Sequence, residues 1–215
     1  MSTLTKSQNL KKGKNMQTLK LKFIGDTDMI THNSQGADPL NPYTKALKII
    51  TGKRKKTDQD HMDLGRIEWE SGLYLHDGVV VMPAINLDRC LWDGAKKVKN
   101  GVKYKSGVFP ADDYSVLSYA GKQIKTNGHT EIPDPALDKF YKDNSIRMIV
   151  VVNRNRIVRV RPIFHDWSFK ATLLYDELVI DRTELIACAT DAGRLIGMCE
   201  MRPRHGRFHV EVLEG

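Results

Sequence analysis

From residue 167 to residue 175 every second side chain is apolar: Trp167, Phe169, Ala171, Leu173 and Tyr175, with Ser168, Lys170, Thr172 and Leu174 between them. A period of two turns successive side chains to opposite faces, so this stretch predicts a strand buried on one side. The residues after it constrain the topology. Asp181 and Glu184 form a capping pair for a helix that carries Leu185, Cys188, Ala189, Ala192, Leu195 and Ile196 on one face, and Gly197 closes it. After a short basic loop holding Arg202, Arg204, His205 and Arg207, the residues Phe208, Val210 and Val212 alternate with His209 and Glu211 in a final strand. Strand, helix, basic loop and strand in that order predict a βαβ unit whose loop is pinned at both ends. Arginine's planar fork suits phosphate, so such a loop is a candidate anion contact.

The first half has the same vocabulary. Leu19, Leu21 and Phe23 alternate with Lys20 and Lys22, which predicts a half-buried strand, and a polar loop from 25 to 41 follows it. Asn41-Pro42 predicts a helix start and Gly52 its end; Thr57 with Asp60 predicts a cap on a second helix reaching about Ser71. Asp77-Gly78 signals a hairpin, and Leu87, Cys90, Leu91, Ala95 and Val98 recur at helical spacing. Residues 101–144 are polar and rich in turn formers, as in an irregular insertion. The clearest hairpin pairs 146–152 with 156–163 around Asn153-Arg154-Asn155, and it puts Arg159 and Arg161 on one face.

The formal charge of +8 invites a nucleic-acid reading, but six of those charges are lysines that precede the first acid, Asp26. Basicity is therefore partly a property of residues 1–16, expected as a disordered leader, and a binding surface in the folded part has to come from local clusters. Four clusters exist: Lys53, Arg54, Lys55 and Lys56; Lys96, Lys97, Lys99, Lys103 and Lys105; Arg154, Arg156, Arg159 and Arg161; and Arg202, Arg204 and Arg207. The second ends a helix, where cations suit the dipole for structural reasons alone.

No apolar run approaches the roughly 20 residues of a membrane span, and Met1 to Asn15 lack the apolar core of a secretory signal. Cys90, Cys188 and Cys199 have no metal-like pairing and read as buried small hydrophobes in a reducing cytoplasm. Phosphate-loop, nucleophile-elbow and zincin signatures do not occur. His205 and His209 are four apart, but Gly206 and the strand pattern contradict a helical pair, so no metal site is expected. His32 with Asp38, helped by Asp26 or Asp28, is the candidate acid-base pair; the structural alternative for Asp38, next to Pro39, is that it shapes a turn.

Three stretches resemble the RAMP superfamily, the RNA-binding backbone subunits of CRISPR effector complexes: Ile30-Thr31-His32 with Ala37-Asp38-Pro39-Leu40, residues 80–87 around Pro83-Ala84-Ile85-Asn86, and the loop from Gly197 to Phe208. The resemblance implies a modified RNA-recognition fold and an RNA contact at the last loop, and for Asp38 the metal-dependent RNA cleavage that some members support. The compact chain with its basic leader is similar to a phage-encoded relative. The expected fold is α+β: a modified ferredoxin-like, RNA-recognition-like antiparallel sheet with helices on one face, residues 17–215 forming a single domain with insertions at about 42–72 and 101–145. The expected function is binding of single-stranded nucleic acid, RNA favoured, by Lys53 to Lys56, Arg159, Arg161, Arg202, Arg204, His205 and Arg207, in a homo-oligomer or ribonucleoprotein in the cytoplasm of a bacterial or phage-infected cell. The alternatives are a metal-dependent ribonuclease using Asp38 with His32, the one reading that needs a divalent metal, and a viral structural or assembly protein.

Overall fold

The computed structural model describes residues 16–128 and 131–213. Of the expected leader only Met16 lies within them, and it already belongs to the first strand, β1 (Met16–Gly25). Leu19, Leu21 and Phe23 of β1 are buried, as their alternation predicts. A short strand β2 (Met29–Ile30) leads to two helices, α1 (Pro42–Thr51) and α2 (Asp58–Ser71). Asn41 caps α1 by accepting from the Tyr43 N–H, and Thr57 with Asp60 forms a reciprocal capping box on α2.

The hairpin β3 (Leu75–His76) and β4 (Val79–Pro83) turns at Asp77-Gly78, both at positive φ. Helix α3 (Ala84–Lys97) follows directly and runs into α4 (Gly101–Gly107). Short strands β5 (Val108–Pro110), β6 (Tyr114–Val116), β7 (Ser118–Tyr119) and β8 (Lys122–Gln123) come next, then α5 (Asp138–Asp143). The long hairpin β9 (Ser145–Val152) and β10 (Asn155–Phe164) has only Asn153 and Arg154 in its turn, so Asn155, expected there, already pairs with Val152. Strand β11 (Trp167–Asp176), α6 (Arg182–Asp191), a π-helical turn Ala192–Ile196 and β12 (Phe208–Leu213) complete the chain.

Antiparallel pairing places β1 between β12 and β11, and β11 also pairs with β5 and β7. Residues 101–145, expected as irregular, hold the small hairpin β7–β8 and also add β5 to the edge of β11. Val108-Phe109-Pro110 is too short a pattern to read as a strand alone, and it becomes one because β11 offers a free edge. Across the central strands Phe23 stacks on Phe169, with ring centroids 4.8 Å apart, and Phe208 meets Phe23 edge-on at 5.4 Å. This aromatic face shares one core with Leu87, Cys90 and Leu91 of α3 and Leu185, Cys188 and Ala189 of α6. A Cβ at Gly94 would meet Ala192, which explains how closely α3 approaches the end of α6. Burial of aromatics at this density is worth about 25 cal/mol per Å² of apolar surface removed from water.

Two smaller sheets, β2–β10–β9 and β3–β4–β6, flank this core. Helix α2 buries an ion pair: Arg66 donates to Glu70 at 2.7 Å, and Glu70 also accepts from the Tyr43 hydroxyl at 3.0 Å and the Asp134 N–H at 2.9 Å. A buried carboxylate with three donors is satisfied, whereas removing one partner would leave a charge stranded. Among the described residues no helix is long and apolar enough to cross a membrane.

Candidate nucleic-acid interface

The basic loop after α6 is clamped by backbone bonds on both flanks. Gly197, at φ 77°, donates to the Ala192 carbonyl at 2.9 Å and ends the π-turn. Met198 is fully buried and donates to Gly206 O at 2.8 Å, while Gly206 donates to Asp28 O at 2.8 Å. Glu200 N–H donates to Ile30 O at 2.9 Å, and the Arg207 carbonyl accepts from Asp26 N–H at 2.8 Å. The loop is therefore sewn to the turn between β1 and β2, and its backbone hydrogen bonds are met inward. Its side chains point the other way: Arg202, Arg204 and Arg207 are exposed, His205 is half-buried, and none of the three arginines has an ion-pair partner among the described residues.

Three concavities lie along α3, and this loop walls two of them. The first, about 190 Å³, is walled by His32, Tyr74, Asn86, Arg89, Cys199, Glu200 and Arg202. The second, about 490 Å³, lies between Lys96 and Lys97 of α3 and Arg202-Pro203 of the loop. The third, about 450 Å³, occupies the elbow of α3 and α4, with Trp92, Lys96, Lys99, Val102 and Lys105 in its wall. Arg202 belongs to the first two and Lys96 to the last two, so neighbouring concavities share a wall residue and together outline a candidate cationic groove along α3. Asp93 and Glu200 are the carboxylates in those walls. Asp93 is held below the usual carboxylate range because hydrogen bonds from Lys96 and Arg89 outweigh its burial.

His32 lies in this groove, but its acidic partner is not the expected one. Its Nδ1 is 3.2 Å from Glu200 Oε1 and its Nε2 is 3.4 Å from Arg161 Nη2. An arginine N–H only donates, so the Arg161 contact uses Nε2 as an acceptor and leaves Nδ1 facing Glu200. Asp38 instead accepts from the Leu40 N–H at 2.8 Å and shapes the turn before α1. No hydrogen bond or ion pair among the described residues joins it to His32. Asp26 and Asp28, expected as helpers of His32, face His209 at 2.6 Å and His165 at 3.0 Å. No group of three or more His, Cys, Asp or Glu side chains is arranged to hold a metal among the described residues.

The remaining sequence candidates sit elsewhere. Lys53, Arg54, Lys55 and Lys56 form the exposed connection between α1 and α2, and Lys53 is paired with Asp60. Arg159 and Arg161 do share a face, and both reach Glu68, at 3.1 and 3.0 Å. Arg161 is buried, at 8% exposure, so its guanidinium braces α2, β10 and His32 and is not open to phosphate. Sequence reasoning singled out Lys96 and Lys97 as a cluster but left them out of the binding surface, because the helix dipole explains them equally well, and it passed over Arg89. The signal was their spacing about Trp92, three before and four after, which places Arg89 and Lys96 beside one ring. Cys90 behaves as the small hydrophobe expected: burial pushes its thiol up to about 12 and its S–H donates to the Gly197 carbonyl at 3.2 Å.

No protein-family model matches the chain, and no curated protein matches it either.

Proposed function

We propose that this chain binds single-stranded nucleic acid, RNA favoured, along the groove between α3 and the loop 197–207. The observation that carries the reading is the shared walls: Arg202 and Lys96 link three concavities into one track that also holds Arg89, Lys97, Lys99 and Lys105. A single strand is held by a cationic track with aromatic surface on which its bases stack; a duplex also needs the cations but keeps its bases paired and stacked inside. The clamped backbone of the loop supports the same reading, because arginines on a fixed frame lose less freedom on binding.

The strand order β12–β1–β11–β5, with α3 between β1 and β5 and α6 between β11 and β12, supports the finer description of the sheet as ferredoxin-like and RNA-recognition-like. Within that reading the RAMP likeness remains our proposal for the family. Phe23, Phe169 and Phe208 face the core, and the opposite face of the sheet carries Lys20, Lys22 and Lys170 with the exposed ring of Phe109 on β5, which lies across from Leu174. The loop side is the surface where cations and concavities coincide. Assembly side by side draws support from β9, whose outer edge is unpaired among the described residues and carries exposed Ile149 and Val151.

Filter binding of a single-stranded oligonucleotide at rising salt tests the reading. Four to six phosphate contacts give a slope of log K against log salt of about −3 to −4. Undetectable binding at low salt would overturn it. Removing residues 1–15 should leave most of the affinity; loss of all binding would move the contact to the leader and favour the assembly-protein alternative.

A further inference from the structure

The chain has three tryptophans. Trp69 and Trp167 are fully buried, whereas Trp92 is half-buried and lines the elbow of α3 and α4. Its indole N–H donates to the Gly101 carbonyl at 3.0 Å, which fixes the ring in place. Lys96 Nζ lies 3.3 Å from the ring centroid, Lys105 Nζ 5.0 Å and the Arg89 guanidinium 5.2 Å. Asp93 balances Lys96 and Arg89 at 3.0 Å each, but Lys99 and Lys105 have no ion-pair partner among the described residues. Val102, 85% exposed, adds an apolar wall to the same hollow.

Helix dipoles account for Lys96 at the end of α3 and for Lys105 in the last turn of α4, but not for their convergence on one indole or for an exposed valine beside it. A hollow with a flat aromatic and aliphatic lining and an unbalanced ammonium rim matches a flat neutral ring that carries anionic charge at its edge. A nucleobase with its flanking phosphates has that form.

We propose that Trp92 is a base-stacking platform at the far end of the groove. One base of the bound strand lies on the indole, Lys99 and Lys105 take the adjoining phosphates, and Lys96 moves from the ring to a phosphate. The inference rests on the nucleic-acid reading above and adds to it a contact with a base.

Intrinsic fluorescence of the full chain tests it, because the other two indoles are shielded from solvent. A short oligouridine should quench the emission, and an abasic strand of equal length, with the same phosphates, should bind with little quenching. Trp92→Leu should abolish the quenching and weaken oligouridine binding roughly tenfold while leaving abasic-strand binding unchanged. Trp92→Phe should retain most of the affinity. The wild-type comparison of the two strands needs no variant, so the test survives if Trp92→Leu fails to fold. Equal quenching by both strands, or binding by filter assay with no quenching, overturns the platform and leaves the groove standing. No binding of either strand at low salt overturns both.

Discussion

The His32 imidazole meets the Glu200 carboxylate at 3.2 Å across 168 residues of sequence. The pair lies in the groove wall and its partners are each two-fifths exposed, at 43% and 40%, so its contribution to stability is small, about 0 to 1 kcal/mol. Its larger effect is on charge, because Glu200 sets an anion where a phosphate would pass. Glu200→Gln should leave the urea midpoint nearly unchanged and raise oligonucleotide affinity by about two- to fivefold. An unchanged affinity would place the strand away from the first concavity.

Arg202 is the residue common to two concavities and has no internal partner among the described residues. Arg202→Ala should weaken binding of every sequence alike and reduce the single-strand salt slope by about 0.7. Arg159→Ala offers the contrast, since that guanidinium is held 3.1 Å from Glu68 and lines none of the three concavities. Salt titrations of the two variants should differ in slope, and equal slopes would remove Arg202 from the track.

Gly206 sits at φ 75°, and a Cβ there would meet the Met198 carbonyl oxygen. Both backbone strain and collision oppose a side chain, so Gly206→Ala should cost more than about 2 kcal/mol in thermal or urea unfolding. Gly36→Ala, where a Cβ meets nothing within 4 Å, should stay within about 0.5 kcal/mol. The same substitution at Gly206 should also weaken nucleic-acid binding, because the loop's clamp to Asp28 passes through its N–H.

The parts of the molecule legible in the sequence are those where a local rule suffices. The alternation at Trp167 to Tyr175, the caps at Asn41, Thr57 and Asp181 and the closure at Gly197 are each decided by residues within one element. Strand β5 was not legible, since three residues carry no periodicity and their state depends on the edge of β11. The site divides in the same way. A basic loop could be read from Arg202, Arg204 and Arg207, but which carboxylate His32 would face could not. Asp38 is near it in sequence, whereas Glu200 reaches it only because the final loop bonds to β2. Charge was misread where it was cancelled at long range, as with Arg161, because pairing with Glu68 depends on how α2 lies on β10.

Asp60 supplies a pH dependence of stability. A hydrogen bond from the Lys53 ammonium and then one from the Thr57 N–H bring its carboxyl down from 3.8 to about 2, outweighing its burial. A depressed folded-state pKa contributes stability that is complete above the unfolded value and is lost as pH falls through the folded one. The gap in melting temperature between the wild type and Asp60→Asn should therefore be constant above pH 3.8 and close as pH approaches about 2. Melts at stepped pH and fixed ionic strength would measure it. A gap that persists below that range would assign the effect of the substitution to packing of the cap and not to charge.

Strand β9 makes a last test, of assembly. Ile149 and Val151 project from one face at 71% and 68% exposure, and Val158, directly across from Ile149 on β10, is 52% exposed. An apolar patch on a strand with an unpaired edge favours association through added strand pairing and face-to-face burial. Ile149→Lys with Val151→Lys should abolish self-association in sedimentation velocity, and the folded chain should lose less than about 1 kcal/mol because neither side chain packs in the core. Oligonucleotide binding by the double variant should lose any cooperativity along a long strand but keep its affinity for a short one, which a single groove can hold. A wild-type chain that stays monomeric at all concentrations, with and without a long strand, would remove side-by-side assembly and leave the groove as the binding unit.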